Sequence, residues 1–415
     1  MTEYFHKFKL NYMMPIVAKI VLAILAIVMV PLYIKYWGVE LYKEYVLILS
    51  LMAYANIITN PMSNFILKLK SQINKIKLYE IVSINLVLLG FIVLPLVTLY
   101  LYFTYNKKYI FLFCIITIIL ISLNGLLRTI FISINKVNLF SSFEIIFSIL
   151  KLPFSFYIAY LLSNSEQEHF IVFFILYAIF FLFENLVAFL YLRIKNLFEI
   201  KLQFLYVIQK LLLSRKSFVY FVLVVILEVL IGTFDRLYLI KYATSDDFLV
   251  FTIALTIVSS FYLVVNPINS QALPVFFEKK LIEEKICLIK VYYKEILFAL
   301  IPMIIIYALV GNLLIDVWLK DTVNIELKEY IYLTSLLLII GVLFNSLSGP
   351  LQNFLVSHAK EKSLFYNNIS FCFFLIFSLI LSYTLGNIFY FALAFSIAYF
   401  IKFIIYRRSV LFVSK

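Results

Sequence analysis

The sequence predicts an all-α integral membrane protein with twelve transmembrane helices in two six-helix lobes. Three observations carry that prediction. Of 415 residues, 65% are hydrophobic and 14% charged, with a mean hydropathy of +1.05. Soluble domains carry about 25% charged residues, so most of this surface must face something other than water. The apolar residues also come in runs of spanning length, about 20 residues each. Finally, the chain repeats its own markers about half a length apart.

The first segment, 13–34, is long enough to span, longer than the core of a signal peptide, and has no small-residue cleavage site. It is expected to stay as a helix. The second, 41–66, carries Asn60-Pro61, and the third is 79–103. The fourth, 109–133, holds Arg128; the fifth, 140–162, holds Glu144 and Lys151; the sixth, 169–192, holds Glu184. The seventh, 217–240, is greasy throughout yet contains Glu228, Asp235 and Arg236. The eighth, 248–274, carries Pro267 and Pro274. The last four are 291–314, 329–357, 364–384 and 388–407. Between the eighth and ninth, "VFFEKKLIEEKICLIK" at 275–290 reads as a longer loop. All nine prolines fall in or at the ends of these segments. There they act as packing kinks, or as breaks that line a cavity where neighbours re-satisfy the freed backbone.

An even count puts both termini on one side. With the N-terminus inside, 24 of the 35 Lys and Arg fall at cytoplasmic loops and ends. Seven fall outside (Lys35, Lys43, Lys107, Lys108, Lys241, Lys320 and Lys328), and four lie within segments. That is a positive-inside bias, so the formal charge of +13 reads as orientation in a plasma membrane rather than nucleic-acid binding. Aromatic residues at segment ends, Tyr33, Tyr36 and Trp37, then Tyr100, Tyr102 and Tyr105, then Trp318 and Tyr330, are expected at headgroup level.

The internal repeat has two parts. An offset of 206 maps Ile34, Lys35, Tyr36, Asn60 and Pro61 onto Ile240, Lys241, Tyr242, Asn266 and Pro267. An offset of 224 maps Gly125, Ser133 and Lys136 onto Gly349, Ser357 and Lys360. Each half then starts from the cytoplasm, so the repeat is parallel, with lobes at 1–208 and 209–415 and a substrate site expected at their interface.

Several function classes are excluded or disfavoured. Cys114, Cys287 and Cys372 are too scattered for a disulfide framework, and His6, His169 and His358 have no ligand-like spacing, so no metal is expected. No Ser/His/Asp set, paired acidic motif or Gly-rich phosphate loop appears outside the segments. The longest outer loop, roughly 315–328, is of ordinary length. A multispanning glycan polymerase or ligase, the main enzymatic rival, is therefore disfavoured. No filter-like loop suggests a channel. Transport remains, and no enzyme activity is expected.

The stretch "GTFDRLYLIKYATSDDFLVFTIALTIVSSFYLVVNPINSQALPVFF" resembles the seventh and eighth helices of O-antigen and polysaccharide flippases in the MATE-like superfamily. The residues in common are Asp235-Arg236 near the outer end of helix seven, Phe251 after the loop, and Pro267 and Pro274. "NGLLRTIFISINKVNLF" at 124–140 resembles the same family's fourth helix and following turn. The resemblance implies a V-shaped two-lobed transporter working by alternating access in the bacterial inner membrane. Its cargo would be an oligosaccharide on a polyprenyl pyrophosphate, moved from the cytoplasmic to the outer leaflet. Its partners would be membrane lipids and other polysaccharide-assembly membrane proteins. A cation-coupled small-molecule exporter would share the fold.

Eight charges stand out within the segments: Lys19, Arg128, Lys151 and Arg236, against Glu144, Glu184, Glu228 and Asp235. Each costs about 2.5–3.5 kcal/mol at a helix centre, so each should face an interior. Counted this way, with the other charges toward the segment ends assigned to the loops, five belong to the first half and none to the last five helices. Glu144 and Lys151, seven apart, share a helix face, as do Glu228 and Asp235. The four cations are the candidate substrate-binding residues, because Arg forks onto a pyrophosphate and Lys offers a compact charge. Lys151 has a competing ion-pair reading with Glu144 or Glu184, Arg236 a competing role as a structural lock with Asp235, and Lys19 and Arg128 lie near enough the cytoplasmic edge to snorkel instead. Glu228 lies near mid-bilayer, where holding charge and taking up a proton cost similar amounts. Glu228 and Asp235 are therefore the candidate coupling residues, for a proton or a sodium ion, with no other cofactor expected; the competing reading of Glu228 is a fixed hydrogen bond or salt bridge to a neighbouring helix.

Overall fold

In a computed structural model the chain is described at residues 2–69, 93, 95, 97–98, 108–134, 136–194, 215–279, 281–320, 322–358, 360–384 and 388–413. Among these residues there are helices and no strands. In chain order we label them α1 (Thr2–Met52), α2 (Asn56–Leu69), α3 (Lys108–Ser133), α4 (Val137–Ile149), α5 (Ser155–Leu162), α6 (Glu166–Ile194), α7 (Arg215–Tyr242), α8 (Ser245–Glu278), α9 (Ile282–Trp318), α10 (Ile325–Ser357), α11 (Glu361–Thr384) and α12 (Ile388–Val413).

Each predicted segment falls on helix except the third, 79–103, which lies almost wholly outside the described residues, as do Tyr100, Tyr102 and Tyr105. The first two segments join in α1, whose helical run turns at Gly38, where φ is 68°. A side chain is strained at that φ and glycine is not. Among the described residues, nine stretches are long and apolar enough to cross a bilayer.

Two expectations are corrected here. The 275–290 stretch is not a loop: α8 runs to Glu278 and α9 starts at Ile282, so the helices extend past the apolar core on both sides of a short break. Acidic residues Glu283 and Glu284 in the first turn of α9 favour that early start. Second, Tyr33 and Trp37 are each only 1% exposed. Their rings are packed inside protein rather than held among headgroups; Trp37 sits against Phe156, Phe170 and Phe173.

The outward faces are apolar. Phe298 and Leu309 on α9 are 84% and 79% exposed, and Phe373, Phe377 and Ile380 on α11 are likewise bare. A continuous bare apolar face is what a bilayer covers.

Packing divides the chain into two units: Met1–Leu25 with Tyr36–Leu237, and Ala26–Lys35 with Tyr238–Lys415. The sequence division at 208/209 lies outside the described residues. Within the first unit, α3 packs on α2 and α6, and α5 packs on α6. In the second, α10 is the central helix, touching α8, α9, α11 and α12.

The repeat is visible inside each unit as the same local geometry. Lys136 N–H donates to the Phe131 carbonyl at 2.8 Å, and at an offset of 224 Lys360 N–H donates to Leu355 at 3.0 Å. Ser133 Oγ donates to Ile130 at 2.7 Å and Ser357 Oγ to Phe354 at 2.8 Å. Between helices, Thr129 meets Ser63 at 2.8 Å, while Asn353 donates to the Asn269 carbonyl, also at 2.8 Å. These positions correspond at offsets 224 and 206. Two copies of one turn and one helix seam are what duplication leaves behind.

Candidate anion site in the first unit

The α2–α3 seam is tight. A side chain on Gly125 would place Cβ 2.7 Å from the Thr59 methyl. Thr59 is tied by its hydroxyl, which lies 2.8 Å from the Ala55 carbonyl and 2.7 Å from Ser122 Oγ. Only glycine allows this approach, and Arg128 sits one turn further along α3.

On the next helix, Glu144 Oε1 receives Lys19 Nζ of α1 at 3.2 Å and lies 3.7 Å from Arg128. Three helices thus bring two cations to one carboxylate. The other oxygen, Oε2, is buried and accepts no hydrogen bond among the described residues. A carboxylate as buried as Glu144, 12% exposed, is costly alone, and pairing offsets that cost. The three-residue cluster still carries a formal surplus of one positive charge.

Lys151 follows on the same chain segment but turns elsewhere. Pro153 has no N–H to continue the helix, and the backbone passes through a five-residue π turn, Leu150–Phe154. Ser155 Oγ donates to the Leu150 carbonyl at 2.8 Å, filling an acceptor there. From this turn Lys151 reaches Glu184 on α6 at 2.6 Å and lies 4.2 Å from the centre of the Phe181 ring. Its ion pair is therefore with Glu184 rather than Glu144, although Glu144 still feels its charge.

The remaining candidates are on α7. Glu228 and Arg236 are partly buried there. The Asp235 side chain lies outside the described residues.

Charge in the second unit corrects the expected asymmetry. Lys402, which sequence counting places at the cytoplasmic end, is buried within α12. Its Nζ donates to Asn345 Oδ1 at 2.9 Å and lies 5.2–5.7 Å from the ring centres of Phe371, Tyr399 and Tyr406. Asn345 Nδ2 in turn donates to Tyr262 at 2.9 Å. Glu44, also uncounted, is buried and takes a 2.8 Å hydrogen bond from Tyr109. The signal for Lys402 was present in the sequence, since it lies five residues inside the last segment. Asn345, Phe371 and Tyr262 come from three other helices and have no local signature.

No protein-family model matches this sequence, and no curated protein matches it. Solved structures do. The lipid II flippase MurJ in its inward closed conformation aligns at a TM-score of 0.68 and 16% identity, covering 97% of this chain and 87% of that one. The MATE transporter VcmN of Vibrio cholerae aligns at 0.69 and 13%, covering 99% and 98%. A MOP superfamily transporter of Pyrococcus furiosus aligns at 0.58 and 12%, covering 98% of each chain. The chain has the all-helical membrane fold of the MATE and MurJ transporters.

Proposed function

We propose that this chain is a flippase for a polyprenyl-pyrophosphate-linked oligosaccharide, an O-antigen or related surface-polysaccharide repeat unit. It moves that cargo from the cytoplasmic to the outer leaflet of a bacterial inner membrane, with both termini cytoplasmic. The observation that carries this reading is the surplus positive charge at Lys19, Arg128 and Glu144. Glu144 holds the place between the two cations that the cargo's anion would take. A pyrophosphate entering the site takes over the two cations, which are otherwise costly to leave unpaired away from water.

The fold alone does not choose a cargo, since a flippase and a MATE transporter align equally well. A cation-coupled exporter of organic cations is the competing reading, and the cationic surplus opposes it because like charge repels such cargo. Lobes at 1–208 and 209–415 and alternating access belong to the proposal, as does coupling to a proton or sodium ion through Glu228 and Asp235.

The test is Arg128→Ala. Surface glycan should be lost while protein abundance stays normal, and purified protein should lose affinity for inorganic pyrophosphate. Arg128→Lys should recover only part of the activity, because the charge returns without the fork. Normal glycan export in the Ala variant would remove Arg128, and with it the carrying observation.

A further inference from the structure

The first helix belongs to two neighbourhoods. Residues up to Leu25 and from Tyr36 onward pack in the first unit, whereas Ala26–Lys35 pack in the second. Pro31 lies inside that short stretch. In an α-helix the N–H of residue 31 would donate to the carbonyl of residue 27, and proline has no N–H to give. The Ile27 carbonyl is thus left without its helical donor, within an apolar stretch of spanning length.

A tryptophan supplies the missing donor. The indole N–H of Trp318, the last residue of α9, donates to the Ile27 carbonyl at 3.0 Å. Indole nitrogen only donates, so the direction is fixed. The end of α9 is itself braced. Lys328, buried at the start of α10, donates to the Asp316 carbonyl at 3.4 Å and lies 3.9 Å from Asp316 Oδ1. A cation on the last carbonyls of a helix also suits the helix dipole. Sequence alone assigns Trp318 to the interfacial belt, where its N–H would face headgroups. Here the N–H is committed to protein backbone.

We infer that Trp318 is a positioning residue for α1: a pin that replaces the hydrogen bond removed by Pro31 and holds the Ala26–Lys35 stretch against α9. Resting on the alternating-access reading above, the inference includes one movement: α1, which packs in both units, shifts during the cycle and the pin releases. When it does, the Ile27 carbonyl needs another donor, which ties release to the entry of water at that point on α1.

Two measurements test this. The first needs no cargo: thermal unfolding in detergent of Trp318→Phe, Pro31→Ala and the double variant. Trp318→Phe keeps an aromatic ring and loses the donor, and should lower Tm on the order of 2 °C. In the Pro31→Ala background the same change should cost little, because the backbone N–H restored at position 31 now serves Ile27. Equal losses in both backgrounds would overturn the pin. The second joins Ile27→Cys to Trp318→Cys with a short cleavable bis-thiol reagent, after replacing Cys114, Cys287 and Cys372. Cross-linked protein should still bind inorganic pyrophosphate but stop flipping lipid-linked glycan in proteoliposomes until the link is cleaved. Full flipping while cross-linked would overturn the release step. Failure of the wild-type chain to bind pyrophosphate would instead sink the cargo assignment and leave the pin standing.

Discussion

Glu228 shows how a single residue divides between structure and work. It sits partly buried in α7, about 13 residues from the helix start, or roughly 20 Å at 1.5 Å per residue. An ionised carboxylate at such depth costs about 2.5–3.5 kcal/mol. Under the coupling proposal, a change in hydration between two states of the transporter loads or unloads a cation there. Glu228→Gln, which keeps the shape of the protonated form, should fold normally and fail to respond to an imposed pH or sodium gradient in proteoliposomes. Undiminished gradient-driven transport would make Glu228 a structural residue. Lys151 is the contrasting case. Its ion pair with Glu184 and the Phe181 ring beside it satisfy the ammonium within the protein, so under the proposed function it would act on cargo by electrostatic reach rather than direct contact.

Among elements, the α2–α3 seam decides where Arg128 points. Gly125→Val should destabilise the protein by about 1–3 kcal/mol, the usual cost of forcing extra volume into a packed seam, because the Thr59 methyl cannot retreat from its two hydroxyl contacts. Pyrophosphate affinity should fall with it as Arg128 is displaced. Gly232→Ala on α7 is the control, since a Cβ there meets nothing within 4 Å and alanine is the better helix former. Equal melting temperatures for the two variants would show that the seam yields easily. The π turn in the α4–α5 run acts on the same scale. Its wider turn at Pro153 rotates the face of α5 relative to that of α4.

For the whole molecule, positive-inside bias and an even helix count make one sharp prediction. A compartment reporter fused after Lys279 should register as cytoplasmic, and one after Lys320 as outside, since α9 is the one helix between them. Agreement between the two reporters would sink the orientation and the proposed direction of transport together. Charge is also distributed over the molecule more evenly than counting suggested. Lys402 places a buried cation in the second unit among amide and aromatic partners, so both units hold interior charge and differ in what surrounds it.

The sequence by itself determined that this chain lives in a bilayer, that its segments are helices, and that its halves repeat one another's markers. Those features follow from local composition and spacing, because a bilayer admits only backbones that satisfy their own hydrogen bonds. Lys19, Arg128 and Glu144 were each legible among the eight segment charges, since charge in an apolar run is conspicuous. Which cation meets which carboxylate was not legible. Lys19 and Glu144 are 125 positions apart and meet at 3.2 Å, and Trp318 reaches Ile27 across 291. The tertiary structure alone decided those pairings, together with the burial of Tyr33, Trp37 and Lys402. A side chain's partner depends on which helices pack side by side and on the turn of each helix about its axis. A Gly125 approach or a Pro153 bulge resets that turn without leaving any mark on hydropathy.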